Sequence, residues 1–453
     1  MSESSRDGLV LGQFWDPTSD GAEHPGLLHG LDTDRPMLSL LSAFPGAAEG
    51  WEVDQTYPVL CGRGRGGAPE VTLIDCHSLT RAPGSSQDLW CQRVLTGAAL
   101  KPDEMAFTWA GIQTSHLMEW AQGAVDRVTG SRDQGMNELI ASADIPGAVV
   151  ELRAGKLPSW DSRGTRETRY AQLGIQFDPP ASLPDVDRRL QQILRMLTFV
   201  TARANYYQRF TLSTGNRNTL GLEVSGRSSF YRLGQEAEVQ PFPNMLLDMH
   251  RQSFDFGDFV PSWIELDDRL GRSAPWIFAA YYDDDASIEE RFQSAAQALE
   301  AAHEQLTPAD PSRAKRARAV ADALELKGEF TQHLKTVKGL VRSMLFQERL
   351  EQRYRAVLER VNEFAIALVP DQAAFALRCA ALRNYYAHWS DPRKPIVIPD
   401  VDDLWDLAQR LKLILEAYLL SHLGYEPADV LSMNLNRPAF IAATRREKSE
   451  LLR

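Results

Sequence analysis

The hydrophobic pattern of this chain changes its period once, between residues 270 and 285, and this change constrains the fold most. Before it, segments alternate or are rich in β-branched and aromatic residues, and Gly, Pro, Asn and Asp interrupt them. After it, apolar residues recur at helical spacing. A chain of 453 residues is also too long for one ordinary core. We therefore expect an α+β protein, with a mainly β domain over 1–275 and an all-α bundle over 276–453.

Local segments support this division. In the first half, one helix over 185–203 is predicted to interrupt the strands, because Leu190, Ile193 and Leu197 recur at helical spacing. Four segments there are predicted as strands: 70–76, 148–155, 168–178 and 219–234. In the second half, Ser287 and Glu290 form the capping-box pattern of a helix start. Further helices are predicted over 313–327, 329–368, 371–388 and 402–423.

The composition is that of a folded protein, with 43% hydrophobic and 24% charged residues. No window holds about eighteen consecutive apolar residues, and the N-terminal stretch lacks the basic and apolar regions of a signal peptide. We therefore expect a cytoplasmic protein without a membrane partner. The net charge of −12 argues against a generic nucleic-acid coat protein, although an acidic body can carry a local basic surface.

Two patterns that resemble cofactor or metal sites are better explained as ordinary structure. "GRGRGG" (62–67) has the spacing of a dinucleotide-binding loop, but Pro69 and a β-branched run follow where that site needs a helix. A hairpin turn is the favoured interpretation. The four cysteines form no CxxC pair, which favours reduced, mostly buried thiols: Cys61, Cys76, Cys91 and Cys379. We expect neither a metal nor a cofactor.

One stretch of the second half is unusually basic. Between 301 and 360 there are twelve Lys and Arg residues against eight Asp and Glu, and "RAKRAR" (313–318) is the densest basic run. A solvated helix face is the simpler interpretation. The functional alternative is a phosphate-binding surface for RNA, formed by Arg313, Lys315, Arg316 and Arg318.

The stretch "LRNYYAHW" (382–389) places three polar groups near the end of a predicted helix. We expect two packing stripes on that helix, one of Phe375, Cys379, Leu382 and Tyr386, and one of Leu377, Ala381, Asn384 and His388. Arg383 precedes His388 by five residues, so the two lie about 140° apart around the helix axis. They cannot easily bind one atom together, but they can flank a cleft, particularly one between two such helices related by a two-fold axis.

RNA cleavage without a metal is a reaction that needs these groups. A base must take the proton of the 2′-hydroxyl, and an acid must protonate the leaving oxygen. His388 suits either role near neutral pH, and Arg383 offers a planar fork to phosphate oxygens. Asn384 can orient the imidazole or donate to the phosphate. Considered locally, however, a buried His388 and Asn384 with satisfied hydrogen bonds are the simpler interpretation.

A resemblance to a known family favours the functional interpretation. "RNYYAH" on a late helix resembles the R-x4–6-H signature of HEPN domains. "IEERFQSAAQALEAAH" (288–303) and "LWDLAQRLKLILEAYLLSHLGY" (404–425) look like the first and closing helices of the HEPN region in ApeA-type anti-phage proteins. "GLVLGQFWDPTSDGAEHPGLLHG" (8–30) and "EVTLID" (70–75) resemble the N-terminal domain of that group.

The resemblance implies a metal-independent endoribonuclease of abortive phage defence. Its active site would be composite, built by the HEPN domains of two subunits in a homodimer or higher homo-oligomer. Arg383 and His388 match the defining pair of the motif, and Asn384 matches its polar position. Transfer RNA is the candidate substrate and a phage-derived molecule the candidate trigger. The N-terminal domain would have a regulatory or sensing role.

An alternative function belongs to a different class. The helical domain could be a non-catalytic RNA- or nucleotide-binding module that acts as a sensor or assembly platform, with the polar cluster serving stability. RNA would then be bound but never cut. An enzyme centred on the N-terminal half is less favoured, because no nucleophile, base and orienting acid group together in its sequence.

The two functions differ in what the motif variants do. His388→Ala and Arg383→Ala should each abolish RNA cleavage, also in the presence of a chelator, while the fold and assembly survive. A cleavage assay beside a thermal melt measures both. Under the alternative, His388→Ala instead lowers the free energy of unfolding by about 1–3 kcal/mol and no protein cuts RNA. Unchanged cleavage by both purified variants would exclude the ribonuclease interpretation.

Overall fold

The computed structural model of the chain describes residues 9–19, 22–33, 35–44, 55–81, 86–129, 137–161, 164–215, 221–226, 245–249, 254–282, 286–308, 311–324, 333–346, 349–388 and 399–450. Its contacts divide the chain into two compact units, Met1–Ile264 and Glu265–Arg453. The described residues are β-rich in the first unit and helical in the second. The predicted α+β class, with a mainly β part before an all-α part, is confirmed.

Antiparallel strands form one large sheet in the first unit. They are β1 (Val10–Trp15), β2 (His24–His29), β3 (Met37–Leu40), β4 (Thr56–Gly64), β5 (Glu70–Arg81), β6 (Gln87–Thr96), β7 (Phe107–Thr114), β8 (Glu138–Ile145), β9 (Ala148–Asp161), β10 (Gly164–Ala181), β11 (Tyr207–Ser213) and β12 (Leu222–Gly226). Their order is β3-β2-β1-β4-β5-β6-β12-β11-β7-β10-β9-β8, and β3 also pairs with β6. That pairing closes β1 to β6 into a ring, and the other strands extend the sheet from β6.

A buried apolar cluster has members from all six strands of this ring, among them Phe14, Leu28, Leu38, Leu60, Leu73 and Leu89. Alternation of side chains along each strand places these residues on one face of the sheet. Closing the ring pairs strands that would otherwise form open edges. The packing of the ring therefore follows from the period-two pattern of the first half of the sequence.

Three helices accompany the sheet: α1 (Leu117–Thr129), α2 (Leu183–Thr201) and α3 (Phe256–Leu270). The predicted helix over 185–203 is α2. It begins after Ser182, whose side chain accepts a hydrogen bond from the backbone N–H of Asp185. The indole N–H of Trp263 on α3 donates to the carbonyl of Gln192 at 2.9 Å, which ties α3 to α2.

Most of the strand predictions are confirmed. The segments 70–76, 148–155 and 168–178 lie within β5, β9 and β10. Of 219–234, the described part contains β12, and 219–220 and 227–234 lie outside the described residues. The four cysteines are free and buried, as expected.

The "GRGRGG" segment is a hairpin turn, as its context predicted. It connects β4 to β5, and a strand rather than a helix follows it. Gly66 and Gly67 have φ of +66° and +85°, a backbone conformation that side chains with a Cβ disfavour. The turn therefore explains Gly66 and Gly67. Gly62 and Gly64 lie in β4, where a Cβ would come within 2.6 Å of Phe14 and 2.5 Å of Ala68.

The described helices of the second unit after α3 are α4 (Ala274–Ala279), α5 (Ile288–Leu306), α6 (Pro311–Asp322), α7 (Leu334–Phe346), α8 (Leu350–Arg360), α9 (Asn362–Leu368), α10 (Gln372–His388), α11 (Val401–His422), α12 (Pro427–Asn434) and α13 (Pro438–Glu450). The predicted capping box starts α5: the N–H of Ser287 donates to Glu290 Oε2 at 2.9 Å, and the N–H of Glu290 donates to Ser287 Oγ at 3.3 Å.

The prediction of one long helix over 329–368 is wrong. The chain leaves helical geometry at Arg349, where ψ is 143°, and at Val361, so α7, α8 and α9 are separate. These breaks allow α8 to pack against both α5 and α10. No proline marks either break in the sequence, and tertiary packing therefore overrides a locally favourable helix.

A buried charged cluster joins α11 to the C-terminal helices. Arg437 donates to Glu416 Oε2 at 2.7 Å and to Asn434 Oδ1 at 2.6 Å. The hydroxyl of Tyr281 donates to the other Glu416 oxygen at 3.1 Å. Glu416 and Arg437 are almost inaccessible to solvent, so each charge depends on its partner.

Within the described part of the chain, no single helix has the length and apolar composition of a membrane crossing. Asn362–Leu368 and Gln372–Ala387 reach these criteria only when they are taken together, and they are bent by 78°.

Removing one member of the buried pair should destabilise the helical unit strongly. Arg437→Met leaves the Glu416 carboxylate buried without its cation, and we expect the free energy of unfolding to fall by roughly 3–5 kcal/mol. The double variant Glu416→Gln/Arg437→Met removes both charges and should recover much of that loss. Urea unfolding measures both, and equal losses in the single and double variants would contradict the pairing argument.

Candidate functional site

The helix α10 carries the candidate motif and packs through one face only. The side chain of Asp371 caps its start by accepting a hydrogen bond from the N–H of Ala374 at 2.9 Å. The predicted stripe of Phe375, Cys379, Leu382 and Tyr386 is buried. It packs against α5 and α8, with the ring of Phe292 lying 6.1 Å from that of Tyr386. This packing fixes the rotation of α10 about its axis.

The second predicted stripe is not a packing stripe within this chain. Leu377 is 57% exposed and Asn384 is exposed. The expectation that Leu377 and Asn384 pack, and the alternative of Asn384 as a buried and satisfied amide, are therefore both wrong. The physical reason is that α5 and α8 cover α10 from one side. An apolar residue such as Leu377 fits the same hydrophobic pattern whether it packs within its own chain or stays exposed for contact with another molecule.

Arg383 lies at the border between the buried and open faces of α10. Its side chain is 22% exposed, and its Nη2 donates to Glu300 Oε2 on α5 at 2.8 Å. The other oxygen of Glu300 accepts from Arg353 Nη1 on α8 at 3.1 Å. Arg383 Nε is buried and has no hydrogen-bond partner among the residues that the structure describes. Since guanidinium has five donor N–H groups, donors remain for an anion.

His388 is the last residue of α10. The placement of its side chain lies outside the described residues, so the structure gives its position on the helix alone. Arg383, Asn384 and His388 are thus brought onto one helix, and the first two reach solvent on its open side. Residues five apart on a helix lie about 140° apart around its axis. An imidazole at the end of a helix and a guanidinium five residues earlier can therefore contact the same phosphate group only from two different sides.

The basic run lies on α6 and not on the motif helix. Lys315, Arg316 and Arg318 are exposed on α6, which packs against α7. The side chain of Arg313 lies outside the described residues. The ammonium of Lys338 on α7 donates to the carbonyl of Asp322 at the end of α6, at 3.0 Å. The described residues of this α6–α7 hairpin, 311–324 and 333–346, contain seven basic residues and one acidic residue.

Two other histidines of the helical unit form a separate cluster. The Nδ1 of His303 is 3.0 Å from the hydroxyl of Thr307, and the ring of Tyr418 lies 4.7 Å from the ring of His422. Burial, together with the positive charges of Arg360 and Arg269, lowers the pKa of His422 to about 4. Its imidazole is therefore neutral near pH 7 and is poorly suited to donate a proton there.

No motif in the sequence marks Glu300 or Arg353 as part of this site. Glu300 lies on α5 beside the buried residues Ala296 and Leu299, at the edge of the packing face. A carboxylate at that edge of an amphipathic helix is the signal that could have indicated a buried partner. The identity of the partner could not have been read from sequence, because Arg383 follows 83 residues later. In the described residues, no group of three or more His, Cys, Asp or Glu side chains is arranged to hold a metal ion.

Comparison with known protein families gave two matches that together span most of the chain. The model of ApeA N-terminal domain 1 matches residues 10–263, which is more than half of the chain. The model of the Apea-like HEPN domain matches residues 294–429, which include Glu300, Arg353 and the motif of α10. Comparisons with curated proteins and with solved structures gave no significant match.

Proposed function

Because the chain belongs to the ApeA family and carries a C-terminal HEPN domain, we propose that it is a metal-independent endoribonuclease of abortive anti-phage defence. HEPN domains typically act as ribonucleases, bind RNA and dimerise. The family therefore supports a nuclease of phage defence. The cleavage chemistry, the substrate and the assembly are the proposal.

One observation carries the catalytic part of this proposal. The motif helix α10 packs through one buried face, while Asn384 lies on its open face and Arg383 beside it. A purely structural polar cluster would be enclosed with its hydrogen bonds satisfied. Here Asn384 is exposed, and Arg383 keeps 22% of its side chain exposed although it is paired with Glu300. A phosphate group of RNA can bind at this exposed part of Arg383.

The proposed chemistry uses the 2′-hydroxyl of the RNA as the nucleophile. His388 takes its proton or delivers one to the leaving 5′-oxygen, and Arg383 stabilises the negative charge that grows on the phosphate oxygens. Asn384 hydrogen-bonds the phosphate or the imidazole. One imidazole cannot serve both proton steps from opposite sides of the phosphate, which favours a site completed by a second subunit.

The exposed stripe of α10 is the surface that we propose for this second subunit. Leu377 and Asn384 lie on it, so contact between two copies of α10 would cover an exposed leucine and bring two motifs together. We further propose transfer RNA as the substrate, a phage-derived trigger and a cytoplasmic location. The β-rich unit would then sense that trigger.

A charge on this surface should separate the subunits. Leu377→Asp places carboxylates opposite each other across the proposed two-fold axis, so we expect a shift to monomers and at least about a tenfold loss of RNA cleavage. Sedimentation velocity and a cleavage assay measure the two effects. Leu435→Asp is the matched control, because Leu435 is also exposed but lies at the end of α12. Monomeric Leu377→Asp protein with full activity would contradict the composite site.

The α6–α7 hairpin should contribute to RNA affinity through its positive charges. Replacing Arg313, Lys315, Arg316 and Arg318 by Gln should weaken binding and reduce the salt slope by about one for each phosphate that these side chains neutralise. Binding of labelled RNA across a salt series measures this slope. Arg355→Gln is a control, because Arg355 is paired with Glu351 on α8. An unchanged slope in the fourfold variant would show that α6 is only a solvated surface.

A further inference from the structure

The carboxylate of Glu300 is shared between two arginines. One oxygen accepts from Arg383 at 2.8 Å and the other from Arg353 at 3.1 Å. Arg353 also reaches the more exposed Glu304 at 3.3 Å. The three main members come from α5, α8 and α10, the helices whose packing orients the motif. Hydrogen-bonded charges therefore link these three helices in addition to their apolar contacts.

These charges are only partly accessible to solvent. The side chains of Arg353, Arg383 and Glu300 are 16%, 22% and 23% exposed, whereas that of Glu304 is 63% exposed. Charge-assisted hydrogen bonds are stronger than those between neutral groups, and partial burial reduces the screening of their charges by solvent. The 2.8 Å contact thus restricts the direction of a side chain that otherwise has many rotamers.

The sharing also leaves Arg383 with attraction for an anion. Glu300 is divided between two guanidinium groups, and the other carboxylate of the cluster, the 63% exposed Glu304, contacts Arg353 and not Arg383. Arg383 therefore has half of one carboxylate as its described partner, and 22% of its side chain remains exposed. A guanidinium that is held but not fully neutralised is suited to meet a phosphate without first giving up its partner.

We propose that Glu300 is the positioning residue for Arg383, and that Arg353 holds Glu300 in place for this purpose. This inference rests on the proposed ribonuclease function and adds two residues to its site. Glu300 does not touch the RNA. It acts through Arg383 by keeping the guanidinium where charge develops on the phosphate during cleavage, so its removal affects the rate more than the binding.

The central test is the variant Glu300→Gln, assayed as full-length protein on an RNA that the wild type cleaves. Gln keeps the shape of the side chain but loses the charge that holds both arginines. We expect kcat to fall about ten- to a hundredfold while KM changes less than about threefold, since a small displacement of a catalytic group can cost this much. Glu304→Gln is the matched control, and its kcat should stay within about twofold, because Glu304 contacts Arg353 but not Arg383 in the described structure.

A second variant keeps the positioning role testable if Glu300→Gln does not fold. Arg353→Gln leaves the Glu300–Arg383 contact but removes the group that holds Glu300, so we expect a smaller fall in kcat with the same KM. The variant Arg383→Lys gives a further readout. In an Arg383→Lys background, Glu300→Gln should lower kcat less than in the wild type, because the planar fork that Glu300 orients is already absent.

The possible results distinguish a failure of the positioning role from a failure of the proposed ribonuclease function. If the wild type cuts RNA and Glu300→Gln retains its kcat, raises it, or matches Glu304→Gln, the positioning role is wrong and the ribonuclease stands. A rise in KM equal to or larger than the fall in kcat also overturns it. If Glu300→Gln does not fold, an unchanged kcat in Arg353→Gln overturns it. If the wild type does not cut RNA, the proposed function fails and the positioning role fails with it.

Discussion

The packing of one face of α10 against α5 and α8 determines where each candidate catalytic group lies. Phe375, Cys379, Leu382 and Tyr386 are buried there, and burial of four such side chains sets the rotation of the helix. Once this rotation is set, the helical period alone places Asn384 on the open side and Arg383 at the border. The placement of the polar motif is thus a consequence of the apolar stripe. A helix rotated by one residue could move Tyr386 into the exposed position of Ala387 and Asn384 into the half-buried position of Tyr385.

Two arginine–glutamate pairs of the helical unit illustrate how a structural charge differs from a functional one. The Arg437–Glu416 pair is almost fully enclosed, with side-chain exposures of 4% and 2%, and Asn434 and Tyr281 add further hydrogen bonds to it. The Arg383–Glu300 pair has the same chemistry and a similar length, but it lies at the edge of the open face. The first pair can only stabilise the fold. The second holds the side chain of Arg383 beside the open face of α10, where we propose that RNA binds.

Much of this arrangement is predictable from sequence, because it is encoded in local patterns. The change of hydrophobic period indicated the two structural classes, Ser287 and Glu290 indicated the start of α5, and Pro69 indicated the hairpin after "GRGRGG". The wrong predictions concern features that depend on contacts between residues far apart in the sequence. The sequence around 349 and 361 has no helix breaker, and α8 is a separate helix because it packs against α5 and α10. Leu377 looked like a core residue, since a pattern does not say which surface will cover it. The sequence does not identify Glu300 as the partner of Arg383, because an ion pair between two helices has no fixed spacing along the chain.

The central claim is that the motif of α10 cuts RNA, and mapping RNA ends in infected cells tests it most directly. Cells that express the wild type, Arg383→Ala or His388→Ala at equal protein levels are infected with phage, and new RNA ends that carry the products of 2′-hydroxyl attack are sequenced. The account predicts discrete ends, concentrated in transfer RNA, with the wild type and none above background with either variant. The same ends in wild-type and variant cells would contradict it.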